Sequence, residues 1–223
     1  WTRAGQVIIL GLMFTGGLGF MTIATFLLVL IGQRVTLTQR ILVKESLGVN
    51  QLGGLVRLTV GIVLVAASIQ TVGFLALFVR FSFLYSPAEA VWQAVFHAVS
   101  GFNNAGFVAL TEPGGMKAFR ADVPTIAIMS AFIVLGSISY WVMVDVVRYR
   151  RFSLFTLNTK LVLLVTAALL VLGAGVFLAS EYRNEETIGP LPVAEKLMVA
   201  AFESTSGRTA GFSTVDFSNT EKQ

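Results

Sequence analysis

Long apolar runs alternate with short polar segments along this chain. Residues 7–31 are almost continuously apolar, interrupted only by Gly and Thr. Residues 55–79, 124–147 and 161–180 repeat the pattern. Each is as long as the roughly 20 residues an α-helix needs to cross a bilayer, or longer. The pattern predicts a span over each run. Within the second, Ser68, Gln70 and Thr71 are the strongly polar interior residues, and Gln70 is expected to hydrogen-bond across helices. Two further helical runs, residues 88–100 and 192–205, are too short to cross and are expected to enter the membrane and turn back. Pro87 is placed to open the first of these at its first turn. The aromatic stretch 81–87, with Tyr85 and then Trp92, reads as a belt at the membrane interface.

Each short run ends in the same motif. Residues 96–110 read FHAVSGFNNAGFVAL and residues 202–217 read FESTSGRTAGFSTVDF. Ser100-Gly101 matches Ser206-Gly207, and Ala105-Gly106-Phe107 matches Ala210-Gly211-Phe212. Between these anchors the first copy is one residue longer, with Phe102-Asn103-Asn104 standing against Arg208-Thr209. A polar loop between spans cannot face lipid, because its backbone groups would go unpaired. It must be buried in protein or line a water-filled path, and repetition points to a pore lined by backbone carbonyls. Gly106 and Gly211 are the candidates for a left-handed backbone that turns successive carbonyls toward one axis. The negative end of each preceding helix favours a cation at the same place. A pair of ordinary surface turns is the bland alternative; recurrence in the same context favours the pore.

Other residues take supporting roles in this reading. Asn103 and Asn104 are expected to hold the first loop in shape by hydrogen bonds. Arg208 beside a cation path must point away, and is expected to pair with Glu203 or Asp216. His97, on the short helix, is expected to be a satisfied polar residue. Gly16, Gly17 and Gly19 form a small-residue surface suited to close helix packing, or to backing a loop.

Composition supports the membrane reading. Hydrophobic residues make up 55% and charged residues 13% of the chain, so a bilayer suits it better than water. With no cysteine, disulfides, Cys-based metal sites and a Cys nucleophile are excluded. A single histidine excludes a multi-His metal site. The net charge of +4 does not point to nucleic acid, because the cations sit beside the apolar runs. Segments 34–57 and 148–160 together hold eight of the 16 Lys and Arg, which assigns both to the cytoplasmic side. The two hairpins then open from the outside. Thr36 and Gln39 fit a capping box and Gly48 a helix stop, so a basic helix outside the bilayer is expected there. Asp145 is expected at the interface beside Arg148. The pattern breaks off mid-repeat at both ends, and no cleavable leader is evident, so the chain is expected to be part of a longer protein.

TGGLGFMT, the basic VKESLG helix, SGFNNAGF and SGRTAGFSTVDF together resemble the Trk/Ktr/HKT superfamily of K+ transporters, most closely the bacterial Ktr pore-forming membrane subunit. The resemblance spans essentially the whole chain. It implies an all-α membrane protein of repeated helix–re-entrant pore hairpin–helix units resembling K+ channel subunits. Residues 1–33 would be the inner helix of the first repeat, and 34–54 a cytoplasmic basic loop. Residues 55–147 would be the second repeat, with its pore hairpin at 88–110. Residues 148–159 would be a second cytoplasmic basic loop, and 160–223 the outer helix and hairpin of the third repeat. By motif, Asn103, Asn104, Ala105 and Gly106 with Arg208, Thr209, Ala210 and Gly211 would supply two quarters of the filter. Phe107, Phe212 and Glu203 would support it. K+ would be held by the backbone carbonyls of Asn104, Ala105, Thr209 and Ala210.

The resemblance further implies a homodimer in the cell membrane, multi-pass and in contact with lipid, on a cytoplasmic ring of nucleotide-binding regulatory subunits. No cofactor is expected in this chain; K+, with Na+ as the open alternative, is the ion carried. The segment Gly136-Ser137-Ile138-Ser139-Tyr140 is less glycine-rich than the resemblance leads one to expect. Two other classes of function compete. An ion-coupled secondary transporter would use broken helices at its site, although the spans carry no buried carboxylate for proton coupling. An intramembrane hydrolase would use Ser100 or Ser206 as nucleophile and His97 as base, but the second copy has Glu203 in place of the histidine.

Overall fold

The computed structural model describes residues 2–18, 55–111 and 114–220. Among them lie α1 (Arg3–Leu18), α2 (Leu55–Phe81), α3 (Pro87–Phe102), α4 (Val123–Ser137), α5 (Tyr140–Tyr149), α6 (Leu157–Glu181) and α7 (Val193–Thr209). Short 3-10 turns occur at Gly115–Phe119, Phe152–Leu154 and Phe217–Asn219. No strand occurs among the described residues. The start of the expected first span is α1. Its remainder, Gly19, and the basic helix expected near residues 36–48 lie outside the described residues.

Helices α2 and α6 are 27 and 25 residues long. At 1.5 Å per residue they extend about 40 and 37 Å, beyond the ~30 Å hydrocarbon core. Their apolar side chains face outward: Leu64, Val72 and Val79 on α2, and Val171, Leu172 and Val176 on α6, are exposed. Water would penalise such a surface, whereas lipid tails match it.

The third span differs from expectation. A single span over 124–147 is predicted, but α4 and α5 meet at a break with a bend of 104°. Ile138 is extended, with φ −92 and ψ 135, and Ser139 starts α5 from φ −66 and ψ 149. Gly136, Ser137, Ile138 and Ser139 each have lower helix propensity than Ala or Leu, and in succession they interrupt an otherwise apolar run. Asp145 has a definite structural task. Its carboxylate accepts the Thr156 N–H at 3.1 Å and the Thr156 and Thr159 hydroxyls at 2.7 Å each, tying α5 to the first turn of α6.

Helices α3 and α7 have 16 and 17 residues, about 24–26 Å, so neither crosses. Pro87 occupies the first turn of α3 after an extended Ser86, and α7 follows Pro192. Helix α3 packs on α1, α2 and α4; α7 packs on α6 and α4. Helix α4 is therefore shared, and it holds the two short helices in one body. The main core lies along it, where Ile126, Met129 and Ile133 meet Leu77, Phe81, Ala94, Phe202 and Phe212.

Two sequence expectations are corrected by this core. Phe81, counted in the aromatic belt, does not face outward. It is 1% exposed and packs edge-on against Tyr85 and Phe119, because its position at the end of α2 faces α3 and the 3-10 turn; Phe83 is the exposed ring. Gln70 is buried without a side-chain partner among the described residues. The nearby α4 contact, Phe132 against Gly73, is apolar and offers none. Trp92 joins α3 to α1, donating its Nε1–H to Gln6 Oε1 at 2.6 Å beneath the Arg3 guanidinium.

Candidate functional site

The same two ties fold both hairpins. The Ser100 hydroxyl donates to the Phe107 carbonyl at 2.8 Å, and the Ser206 hydroxyl donates to the Phe212 carbonyl at 2.6 Å. Three residues before each serine the helix carries His97 or Glu203. Two residues after each phenylalanine stand Ala109 and Thr214. His97 Nε2 accepts the Ala109 N–H at 3.4 Å, and Glu203 Oε1 accepts both the N–H and the hydroxyl of Thr214 at 2.7 Å. Different side chains thus fasten each ascending segment at the same place. Because His97 Nε2 accepts, its Nδ1 carries the proton and donates to the Gln93 carbonyl at 2.8 Å. Gln93, which the motif comparison missed, donates to the Ala109 carbonyl at 2.8 Å.

These bonds exhaust the serine hydroxyl protons. Neither Ser100 nor Ser206 donates to a base, so the arrangement is that of a braced loop and not of an activated nucleophile.

The hairpins reverse at their glycines. Gly106 has φ +73 and Gly211 φ +79. A Cβ on Gly106 would overlap the Ala210 carbonyl oxygen, whereas one on Gly211 would meet nothing within 4 Å among the described residues. Two segments from different repeats therefore touch backbone to backbone. The extra residue of the first copy is absorbed by Asn104, whose φ of 52 is also left-handed. Asparagine tolerates that region better than most residues with a Cβ. The helix endings otherwise coincide: the Ala105 N–H bonds the Ser100 carbonyl, and the Gly211 N–H bonds the Ser206 carbonyl, both at 2.9 Å.

Around this contact the structure brings together most of the residues singled out from sequence. Asn103 Nδ2 donates to the Val99 carbonyl at 2.9 Å, and Asn104 Nδ2 to the Phe102 carbonyl at 3.3 Å. Thr209 Oγ1 donates to Asn104 Oδ1 at 2.7 Å, joining the two hairpins. Ala105 is partly buried, and Ala210 and Phe212 are buried, whereas Phe107 is 41% exposed. Close approach from other helices completes the surroundings: side chains at Gly17 and Gly136 would overlap Asn103 and the Phe102 carbonyl. Gly17 thus backs the first hairpin, while a Cβ on Gly16 would meet nothing within 4 Å among the described residues.

Arg208 departs from expectation. It is exposed in the last turn of α7 and pairs with neither Glu203 nor Asp216. It lies five positions after Glu203 on the helix, roughly 140° around the axis, so the two side chains leave on different faces. Glu203 is engaged by Thr214, and Asp216 by Lys117 at 2.6 Å and by Ser218. At a helix C-terminus a cation also meets the negative end of the macrodipole. The Lys117–Asp216 pair links the segments that follow the two hairpins. It joins residues far apart in sequence and carries no local motif.

Two braced, glycine-turned hairpins on helices too short to cross, set among helices long enough to do so, define an all-α membrane protein of repeated helix–hairpin units. The chain belongs to the TrkH family, described as cation transport protein, whose model matches residues 2–223. It is 36% identical over 218 residues to the Ktr system potassium uptake protein B of Bacillus subtilis (strain 168), covering 97% of this chain and 48% of that protein. It is 36% identical over 217 residues to the potassium/sodium uptake protein NtpJ of Enterococcus hirae, with coverage of 97% and 48%. The Ktr system potassium uptake protein B of Vibrio alginolyticus is 36% identical over 223 residues, again with 97% and 48% covered. The chain spans about half the length of the curated relatives it matches.

Proposed function

We propose that this chain forms part of the pore of a K+ uptake system, and that its two hairpins supply two quarters of a filter of backbone carbonyls. Dehydrated K+ passes it down the membrane potential, which drives about 2.3 kcal/mol per charge per 100 mV. The carbonyls of Asn104, Ala105, Thr209 and Ala210 replace water around the ion. Phe107, Phe212 and Glu203 brace the loops, and the backbone of Asn103, Gly106, Arg208 and Gly211 completes the lining. The observation that carries this reading is the meeting of Gly106 with Ala210, which sets two left-handed glycine turns from separate repeats side by side. Relatives named as potassium uptake proteins support the choice of ion.

On this reading, residues 55–147 form one full repeat with its hairpin at 88–110, and 160–223 the first part of the next. Residues 1–33 belong to the repeat before. The protein lies in the cell membrane as a multi-pass homodimer. Its basic segments 34–54 and 148–159 face the cytoplasm, where they meet a ring of nucleotide-binding regulatory subunits. The name of the Enterococcus relative, with sodium beside potassium, favours Na+ coupling as the second reading.

The test is ion flux in liposomes holding the full-length protein, comparing K+, Rb+ and Na+ for wild type, Gly106→Ser and Gly211→Ser. Passage of K+ and Rb+ over Na+, lost in both variants, is the expected result. Survival of that preference in both would reduce the hairpins to surface turns. A requirement for Na+ during K+ uptake would select the coupled reading.

A further inference from the structure

We propose that the Thr209–Asn104 hydrogen bond is a fastener between neighbouring repeats, and that it sets how strongly the pathway prefers K+ to Na+. This rests on the filter reading above. The two residues lie 105 positions apart, on different hairpins, and Thr209 Oγ1 stands 2.7 Å from Asn104 Oδ1. The Asn104 amide is oriented for the role. Its Nδ2 donates to the Phe102 carbonyl, which leaves Oδ1 turned to Thr209. Asn104 is also the left-handed residue that takes up the extra length of the first hairpin. The insertion therefore places an acceptor where the second hairpin presents a hydroxyl.

Together with the Gly106–Ala210 backbone contact, this bond holds the hairpins to each other at two points. The contact at Gly106 stops the hairpins from closing further. The hydrogen bond resists their parting. A carbonyl cage distinguishes ions by the spacing and stiffness of its oxygens, so a spacer and a strap acting together define the aperture. In this role Asn104 and Thr209 are positioning residues, acting through the carbonyls beside them.

The experiment compares Rb+ with Na+ uptake by full-length protein in liposomes. The variants are Thr209→Val, Thr209→Ser, Asn104→Gly and the Asn104→Gly/Thr209→Val double, with Gly106→Ser as the control. Glycine keeps the left-handed backbone at position 104 while removing the acceptor. Valine keeps the shape of threonine without the donor. Each single variant should lower the Rb+/Na+ preference about three- to tenfold, the range expected for one hydrogen bond. Thr209→Ser should retain it, and the double variant should fall no further than either single. An unchanged preference in Thr209→Val and Asn104→Gly, with the preference lost in Gly106→Ser, overturns the fastener and leaves the filter standing. Multiplying losses in the double variant overturn it too, as does equal loss in Thr209→Ser and Thr209→Val. Should Thr209→Val pass no ion, the Asn104→Gly ratio decides alone. A preference that survives Gly106→Ser rejects the filter, and the fastener with it.

Discussion

Gly106 and Ala210 share a space that leaves no room for a Cβ at position 106. They belong to different repeats, so the close approach of the two hairpins depends on the smallest side chain at this one place. Gly211 has the same left-handed backbone, φ +79, but among the described residues nothing lies within 4 Å of a Cβ placed there. Alanine at either position carries conformational strain of about 1–2 kcal/mol. At Gly106 a collision with rigid backbone is added. Gly106→Ala should therefore lower the thermal midpoint of the purified full-length protein more than Gly211→Ala does. Equal losses would mean that the hairpins relax apart freely.

Ser206 is fully buried, and its hydroxyl satisfies the Phe212 carbonyl at 2.6 Å. Alanine there leaves a carbonyl without its partner, at a cost of about 1–3 kcal/mol. Ser100→Ala should cost a similar amount, since the Ser100 bond is its counterpart in the other hairpin. Denaturant or thermal unfolding of both variants tests this. A cost below ~0.5 kcal/mol in both would show that water takes the hydroxyl's place.

Glu203 holds Thr214 through one carboxylate oxygen, Oε1. Glu203→Gln keeps an acceptor of the same reach, whereas Glu203→Ala leaves a buried N–H and a buried hydroxyl unpaired. The alanine variant should be the less stable by about 1–3 kcal/mol. Slowed amide hydrogen exchange at Thr214 should persist in wild type and Glu203→Gln, and be lost in Glu203→Ala. Loss of protection in the glutamine variant as well would assign the role to charge and not to the acceptor.

The Asp216 carboxyl lies outside the spans, and its pKa is pulled down to about 2, first by the hydrogen bond from Lys117 and then by Ser218. An unfolded aspartate titrates near 3.9. A depressed folded-state pKa means that the pair stabilises the protein above about pH 4, and that this is lost as pH falls through about 2. Asp216→Asn should therefore lower the thermal midpoint near neutral pH, with the difference from wild type closing in that acid window. The effect will be small, because both partners are over two-fifths exposed. Lys117→Gln should behave alike; a wild-type advantage that persists at pH 2 would assign the stabilisation to something other than charge.

Much of the architecture was legible in the sequence because lipid imposes a simple code. Apolar length separates α2 and α6 from the short α3 and α7, and Pro87 marks where α3 begins. The repeated Ser-Gly and Ala-Gly-Phe anchors located both hairpins, since each anchor does a local job: a serine reaching a carbonyl seven or six residues on. The break between α4 and α5 was missed because hydropathy alone does not distinguish a straight helix from a bent one; the weak helix formers Gly136, Ser137, Ile138 and Ser139 mark it. The placement of Arg208 and the partners of Asp216 and Thr209 were not legible either. Proximity in sequence favoured Glu203 for Arg208, but helical phase separates them. Lys117–Asp216 and Thr209–Asn104 cross between repeats, where no spacing rule operates. One signal weighed only against catalysis carried more: His97 and Glu203 stand at the same distance from their serines, and both fasten the segment that follows.

The additional residue at Asn104 also bears on how such a chain can change over generations. In a ring of identical subunits one inserted codon appears at every position around the axis, and every copy must tolerate it. Here the two hairpins are encoded separately within one chain, so an insertion can be accepted in one and absent from its neighbour. Two hairpins encoded in one chain are thus free to differ where identical subunits could not.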